Sequence, residues 1–194
     1  MKRKGNTLRI IAGQWRSRLL TFPDIPGLRP TADRIRETLF NWLQTVVAGE
    51  RCLDLFAGSG ACGLEALSRH AGHVTFVEAA ADAAAGIRNN LSLLDAGSAQ
   101  VLQQDALAWL GSLEGRVKPD GEYQYGIIFI DPPFAANLHA RVCQLLEQSG
   151  VMKDRAFIYL ESGQPLEALD LPKNWRMCKN KRAGAVHYGL YQRT

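Results

Sequence analysis

A buried-strand signal runs directly into a glycine turn at residues 52–63, and that junction limits what the chain can fold into. Cys52-Leu53-Asp54-Leu55-Phe56 is a short apolar run, Ala57-Gly58-Ser59-Gly60 is built of small residues, and Leu64, Ala66 and Leu67 resume with helical character. Strand, glycine turn and helix form the opening unit of a doubly wound α/β sheet, which binds ligands at the carboxyl ends of its strands. Gly58 and Gly60 permit a tight turn and close approach of a ligand to the backbone. The N–H groups at the following helix start can face an anionic group. Gly58-x-Gly60-x-x-Gly63 also matches a dinucleotide fingerprint, with Glu78 twenty residues past Gly58. Asp54 argues against that reading. A carboxylate at the end of the strand repels a pyrophosphate and suits a cationic ligand, such as one bearing an ammonium group.

The chain's 194 residues favour one principal domain with a sizeable core. No apolar run reaches the length of a membrane span. Leu8-Arg9-Ile10-Ile11 is too short and too charged for the hydrophobic part of a signal peptide. Cys52, Cys62, Cys143 and Cys178 lack close metal-type spacing, so no metal is expected and a reduced, cytoplasmic setting is the simplest account. The net charge of +4 conceals a division. Residues 1–36 hold nine Lys/Arg against two Asp, and residues 173–194 hold six Lys/Arg and no acid. Between them, residues 37–172 hold eight Lys/Arg against 17 Asp/Glu. An acidic middle with basic ends points to a polyanionic partner. The alternative is a solvated tail, but Trp15, Leu19, Leu20 and Phe22 among the N-terminal charges argue for a folded or partner-ordered surface.

Along the chain, residues 8–11 and 18–21 read as two short strands around Gly13, a plausible hairpin carrying Arg9, Arg16 and Arg18 toward phosphates. Pro23, Pro26, Gly27 and Pro30 mark a loop. Thr31 is positioned to cap a helix in which Ile35, Leu39, Trp42, Leu43, Val46 and Val47 recur at helical spacing, with Arg34 and Arg36 on other faces and Gly49 at its end. Residues 73–77 form a second strand ending on Glu78, whose carboxylate can accept both hydroxyls of a ribose. Residues 79–94 are helical, with Asn89 and Asn90 expected on the polar side. Strand 99–103 leads to Asp105, which can receive an adenine amino proton, cap the helix 106–110, or do both. A helix at 139–149 and a strand at 156–161 follow. Residues 175–178 and 186–191 read as a final hairpin whose basic turn holds Lys179, Lys181 and Arg182, with one strand inserted antiparallel at the sheet's edge.

The second strong signal is Asp131-Pro132-Pro133-Phe134, delivered by the apolar strand 125–130. Two prolines fix an extended backbone and remove two donors. The Pro132 carbonyl is thus presented without a competing N–H from Pro133. Asp131 adds a second acceptor and Phe134 a flat apolar face. Two acceptors and a stacking surface are what a planar exocyclic amine needs, whereas a structural Pro-Pro turn is the plainer alternative.

Asp54-x-Phe56-x-Gly58-x-Gly60 resembles the first motif of S-adenosylmethionine-dependent methyltransferases, whose cofactor carries an ammonium group and no phosphate. Together with Asp131-Pro132-Pro133-Phe134 it resembles the amino-methyltransferases. The likeness extends to Arg9-Ile10-Ile11-Ala12-Gly13, Arg29-Pro30-Thr31 and Arg34-x-Arg36-Glu37-x-Leu39-Phe40-Asn41-Trp42. With these the chain is similar, over essentially its whole length, to the RsmD family, which methylates the N2 amine of one guanine in bacterial 16S ribosomal RNA. The resemblance implies an α/β, Rossmann-like fold with a seven-stranded sheet and a small N-terminal β-hairpin extension. A basic extension over 1–30 would precede a methyltransferase domain over 31–194.

Carried over by position, Asp54, Phe56, Ala57, Gly58, Ser59 and Gly60 would hold the methionine part of S-adenosylmethionine, Glu78 the ribose, and Asp105 with Ala106 the adenine. Asp131, Pro132, Pro133 and Phe134 would hold the guanine. Arg9, Arg16, Arg18, Arg29, Arg34, Lys179, Lys181 and Arg182 are the candidate RNA contacts. The implied partner is 16S rRNA or the small ribosomal subunit, met by a monomer without membrane or metal. An adenine-N6 methyltransferase acting on DNA or RNA is the nearest alternative. A nicotinamide-dependent oxidoreductase and a non-catalytic RNA-binding module are more distant ones.

Overall fold

The computed structural model describes residues 6–26, 28, 31–117, 121, 123–133 and 138–194. Two strands, β1 (Asn6–Arg9) and β2 (Leu19–Phe22), pair antiparallel with Leu8 opposite Leu20. Helix α1 (Asp33–Trp42) leads to β3 (Arg51–Asp54), α2 (Ala61–Ser68), β4 (His73–Val77), α3 (Ala81–Leu93) and β5 (Ala99–Leu102). Then come α4 (Ala106–Leu113), β6 (Tyr125–Ile130), α5 (His139–Ser149), β7 (Met152–Ser162), β8 (Trp175–Ala183) and β9 (Val186–Arg193). Seven of the strands form one sheet in the order β5-β4-β3-β6-β7-β9-β8. The ladders from β5 to β7 are parallel, and β9 lies antiparallel between β7 and β8. This is the Rossmann-like seven-stranded arrangement, with the hairpin extension as a separate two-stranded sheet.

Central parallel strands are covered on both faces, so their sequences are continuously apolar. Every residue of β6, Tyr-Gly-Ile-Ile-Phe-Ile, is buried. Its side chains alternate between two cores. Ile127 and Phe129 join Cys52, Phe76 and residues of α1, α2 and α3 on one face. Ile128 and Ile130 join Leu53, Leu55 and residues of α4 and α5 on the other. Gly63 sets the approach of α2 to the sheet: a Cβ there would lie 2.2 Å from Cε1 of Phe76.

The hairpin is fastened to this frame. Leu8, Ile10, Leu20 and Phe22 belong to the same core as α1 to α3. Glu65 of α2 is fully buried and accepts from the N–H groups of Ile11 (2.8 Å) and Ala12 (3.0 Å) and from Nε of Arg69 (2.8 Å). Ser68 Oγ donates to the Ala12 carbonyl at 2.6 Å. A Cβ on Gly13 would fall 1.9 Å from the Ser68 carbonyl oxygen, so the turn seats directly on the end of α2.

Arg36 departs from its expected place on an outer face of α1, because it is fully buried. It donates to the carbonyls of Arg9 (2.8 Å) and Thr31 (3.2 Å) and to Asp33 Oδ1 (2.6 Å), and lies 3.7 Å from Glu65 Oε2. Asn90 is likewise buried, not solvated, and donates to the Thr21 carbonyl at 3.0 Å. Both inward turns have one cause: the hairpin covers those faces and brings backbone carbonyls that need donors.

Other boundaries move for local reasons. Ala32 precedes α1 without a side-chain cap, and Thr31 instead lies by Cys62, Oγ1 to Sγ 3.8 Å. The helix stops at Trp42, before the β-branched run Thr45-Val46-Val47, while Leu43 and Val47 remain buried in the turns that follow. The largest correction is at the basic segment expected to be a turn. Lys179, Lys181 and Arg182 lie within β8, opposite Leu190, Tyr188 and His187, and the chain reverses beyond them at Gly184 with φ +60°. Polar residues fit a strand there because β8 is the outer edge of the sheet.

Removing one partner of a buried ion pair leaves a desolvated charge. Glu65→Ala should therefore lower the unfolding free energy by about 3–5 kcal/mol in urea denaturation. A loss below ~1 kcal/mol would show that the Arg36–Glu65 network does not hold the hairpin in place.

Candidate active site

The chain runs outward from β3 through β4 to β5, then returns to place β6 on the other side of β3. The carboxyl ends of β3 and β6 therefore flank the topological switch point, the crevice where such sheets bind ligands. Asp54 closes β3 and Asp131 follows β6, so the two motifs meet there. Asp54 is buried, and its Oδ2 accepts from the N–H of Gly63 at 2.9 Å. That N–H belongs to the first turn of α2, which starts from left-handed Gly60 (φ +77°) without a side-chain cap of its own. The strand-end carboxyl thus serves the helix from below. Burial raises Asp54 to about 8; the Gly63 N–H opposes this, and the charges of Asp131 and Glu78 add to it.

The rest of the turn is built for a ligand to lie along it. Gly58 has φ +53°, and a Cβ there would have only Phe56 O and Leu28 Cγ near 4 Å. Glu78 follows β4 and spans the turn, accepting from the Gly58 N–H through Oε2 and the Ala80 N–H through Oε1, each at 2.7 Å. A carboxylate so fixed retains lone pairs for two vicinal hydroxyls. Asp105 is the N-cap of α4, its Oδ1 accepting from the Ala108 N–H at 2.9 Å. Capping is thus one of its roles, and Ala106 beside it begins the helix within the core.

At the second motif Asp131 is partly exposed, Pro132 is buried and Pro133 is exposed. Phe134 lies outside the described residues, as does Arg29. A further acid joins the group. Glu161 near the end of β7 is buried, accepts from the Tyr159 hydroxyl at 2.8 Å, and senses the charge of Asp131. Sequence reasoning passed over Glu161, although the signal was present. Like Asp54, Glu78 and Asp131, it is an acid that ends a buried apolar strand.

The carboxyls at this crevice have no ion pair among the described residues. Nor does any group of three or more His, Cys, Asp and Glu among them form a metal-binding cluster. A set of unpaired acids, with Asp54 and Glu161 buried among them, fits a ligand with ammonium and sulfonium charges. The residues present therefore fit S-adenosylmethionine.

The basic candidates lie on the surface. Arg16, Arg18 and Arg34 are exposed, as are Lys179, Lys181 and Arg182 on β8. Arg9 is exposed but pairs with Asp33 at 3.0 Å. Arg182 donates through Nε to the Gly184 carbonyl at 2.8 Å.

Asp54 ties stability to pH. An unfolded Asp titrates near 4, whereas folded Asp54 holds its proton to about 8, so the ligand-free protein loses stability as pH rises between those values. Asp131 and Glu161, raised to about 6 and about 8, add to the decline, so thermal melts across pH 5–8 should show it and Asp54→Asn should reduce its slope while weakening S-adenosylmethionine binding roughly tenfold or more. An unaltered pH course in the variant would remove Asp54 as one of its sources.

Comparison with known proteins agrees with this fold. Residues 8–192 match the family model described as Conserved hypothetical protein 95. Ribosomal RNA small subunit methyltransferase D of Escherichia coli strain K12 is 46% identical over 186 residues, covering 96% of this chain and 90% of that protein. The protein of the same name from Haemophilus influenzae is 42% identical over 187 residues, covering 95% and 93%. The solved structure of yhhF from Escherichia coli superposes with a TM-score of 0.83 at 45% identity, covering 97% of this chain and 98% of that one. On the match along nearly its whole length, this chain belongs to the Conserved hypothetical protein 95 family, the RsmD family of methyltransferases.

Proposed function

We propose that the chain methylates the exocyclic N2 amine of a guanine in 16S rRNA of the small ribosomal subunit, using S-adenosylmethionine. We read it as a cytoplasmic monomer. The observation that carries the reading is the meeting of Asp131-Pro132-Pro133 with the Asp54 turn at one switch point, an amine-accepting element beside a site for a cationic ligand. The names of relatives 46% and 42% identical support the ribosomal RNA substrate. The basic hairpin and β8 supply charge for a phosphate backbone.

When bound, S-adenosylmethionine supplies an electrophilic methyl group on a sulfonium. The guanine amine is a poor nucleophile because its lone pair is delocalised into the ring. Asp131 and the Pro132 carbonyl accept its two hydrogens, which localises electron density on nitrogen and stabilises the positive charge that develops there. The prolines fix this acceptor pair so that the nitrogen is held in line for attack, the larger source of acceleration. Phe134 offers a stacking face to a base that has left its helix. Asp131 accepts most strongly when ionised, and burial raises it only to about 6.

Methyl transfer to small subunits that lack the native modification, followed by nucleoside analysis, tests the reading. N2-methylguanosine is the expected product, and methyladenine would replace this reading with the adenine-N6 one. Asp131→Ala should reduce kcat by ~100-fold or more while changing the Kd for S-adenosylmethionine less than about threefold. Equal losses in both would contradict the amine-acceptor role. Replacing Lys179, Lys181 and Arg182 with Glu should raise the KM for subunits and flatten its salt dependence, by about one unit of logarithmic slope per lost phosphate contact. An unchanged slope would take β8 out of the RNA interface.

A further inference from the structure

We propose that Glu161 is the proton-holding partner of Asp131, a positioning residue that stays neutral beside it and leaves Asp131 as the ionised acceptor. The inference rests on the role given to Asp131 above. Strands β6 and β7 run parallel with Ile130 opposite Leu160, so Asp131, the residue that follows β6, comes beside Glu161, which is still within β7. Phe129 and Tyr159 face the core of α2, while Ile130 and Leu160 face that of α4 and α5. By alternation Asp131 and Glu161 both turn to the α2 side, the side of Asp54.

The surroundings separate the two carboxyls. Glu161 is 3% exposed, whereas Asp131 is partly exposed. Around Glu161 stand the Tyr159 hydroxyl of β7, the Thr31 hydroxyl from the segment before α1, and Asp131 after β6. His139 Nε2 of α5 meets the Glu161 carbonyl at 2.7 Å, and the Cys62 thiol of α2 senses both Glu161 and Asp54. Arg36 of α1 also acts on Cys62, but its guanidinium is bonded to Asp33 and the carbonyls of Arg9 and Thr31. No ion pair among the described residues engages Glu161 or Asp131.

Two like charges side by side in such surroundings do not both ionise freely, and one proton is shared between them. The more deeply buried member keeps it. Burial first, then the Asp131 charge, raise Glu161 to about 8 against the hydrogen bonds from Tyr159 and Thr31.

The reaction gives this proton a use. The amine nitrogen forms its bond to the methyl carbon, the carbon–sulfur bond breaks with its electron pair going to sulfur, and one N–H proton is released. Asp131 receives that proton. A pair with one negative charge becomes neutral as the sulfonium charge disappears, so the net charge of the crevice is unchanged. With Glu161 already neutral, Asp131 is ionised at neutral pH and ready to accept.

The test is the affinity of the full chain for S-adenosylmethionine and S-adenosylhomocysteine by calorimetry from pH 6 to 9.5. The two ligands differ by the sulfonium methyl and its charge. Above pH 8 wild-type Glu161 ionises, and preference for the sulfonium should grow roughly tenfold relative to Glu161→Gln. Below pH 7 the two proteins should agree. Tyr159→Phe, which removes a bond favouring the ionised form, should move the wild-type rise to higher pH, and it decides the matter alone if Glu161→Gln does not fold. A deficit in Glu161→Gln already at pH 6.5 would mean that Glu161 is ionised at rest. Parallel curves separated by a constant deficit would mean that it is ionised across the whole range, and either result overturns the proposal. Full methyl transfer by Asp131→Asn, with the Glu161 signature intact, would instead sink the acceptor role of Asp131 itself.

Discussion

Desolvation of unpaired carboxyl groups governs this molecule. Asp54, Asp131 and Glu161 come from three adjacent strands and turn to one side of the sheet, with no ion pair among the described residues to offset them. Burial raises all three above the usual carboxylate range. A site in that condition is unfavourable until a cation enters, so ligand charge and fold stability are linked through the same groups. The arrangement also explains why the crevice favours a sulfonium over a pyrophosphate despite a glycine pattern that could serve either.

The N-terminal hairpin is joined to that site through a buried polar network. Arg36 and Glu65 between them engage the backbone of the hairpin, the segment before α1 and the helix that follows the glycine turn. The basic surface of the hairpin and the cofactor helix therefore share anchors, and a shift in one is resisted by the other. An apolar pair would pack there, but it would leave the N–H groups of Ile11 and Ala12 and the carbonyl of Arg9 without partners.

Much of the fold was legible because parallel strands write themselves as apolar runs closed by an acid or a glycine. The run 125–130 and the helix 139–149 coincide with β6 and α5 residue for residue. Asp54 and Asp131 could be placed at strand ends by the same logic, as could Glu78, which the structure seats on the glycine turn. What could not be read was polarity that turns inward. Arg36 and Asn90 look like surface residues in any local window, and they are buried only because a distant segment covers them. Glu161 was hidden for the opposite reason, since an acid after a strand is common and only the register of β6 against β7 gives this one a neighbour. The basic stretch 179–182 misled because charge resembles a turn, whereas an edge strand tolerates it equally well.

The position of β9 has a consequence for how the protein is made. Among the described residues it is the last strand of the sheet to be synthesised, yet it lies between β7 and β8 and contributes Tyr188 and Leu190 to the core that holds α1 and α2. Until it has left the ribosome, β7 is an open edge and the aromatic cluster of Phe129 and Tyr159 lacks the ring of Tyr188. The sheet therefore cannot close progressively from one end as it is synthesised. Its completion waits for β9, and a nascent chain halted before that strand would present an unpaired apolar strand to its neighbours.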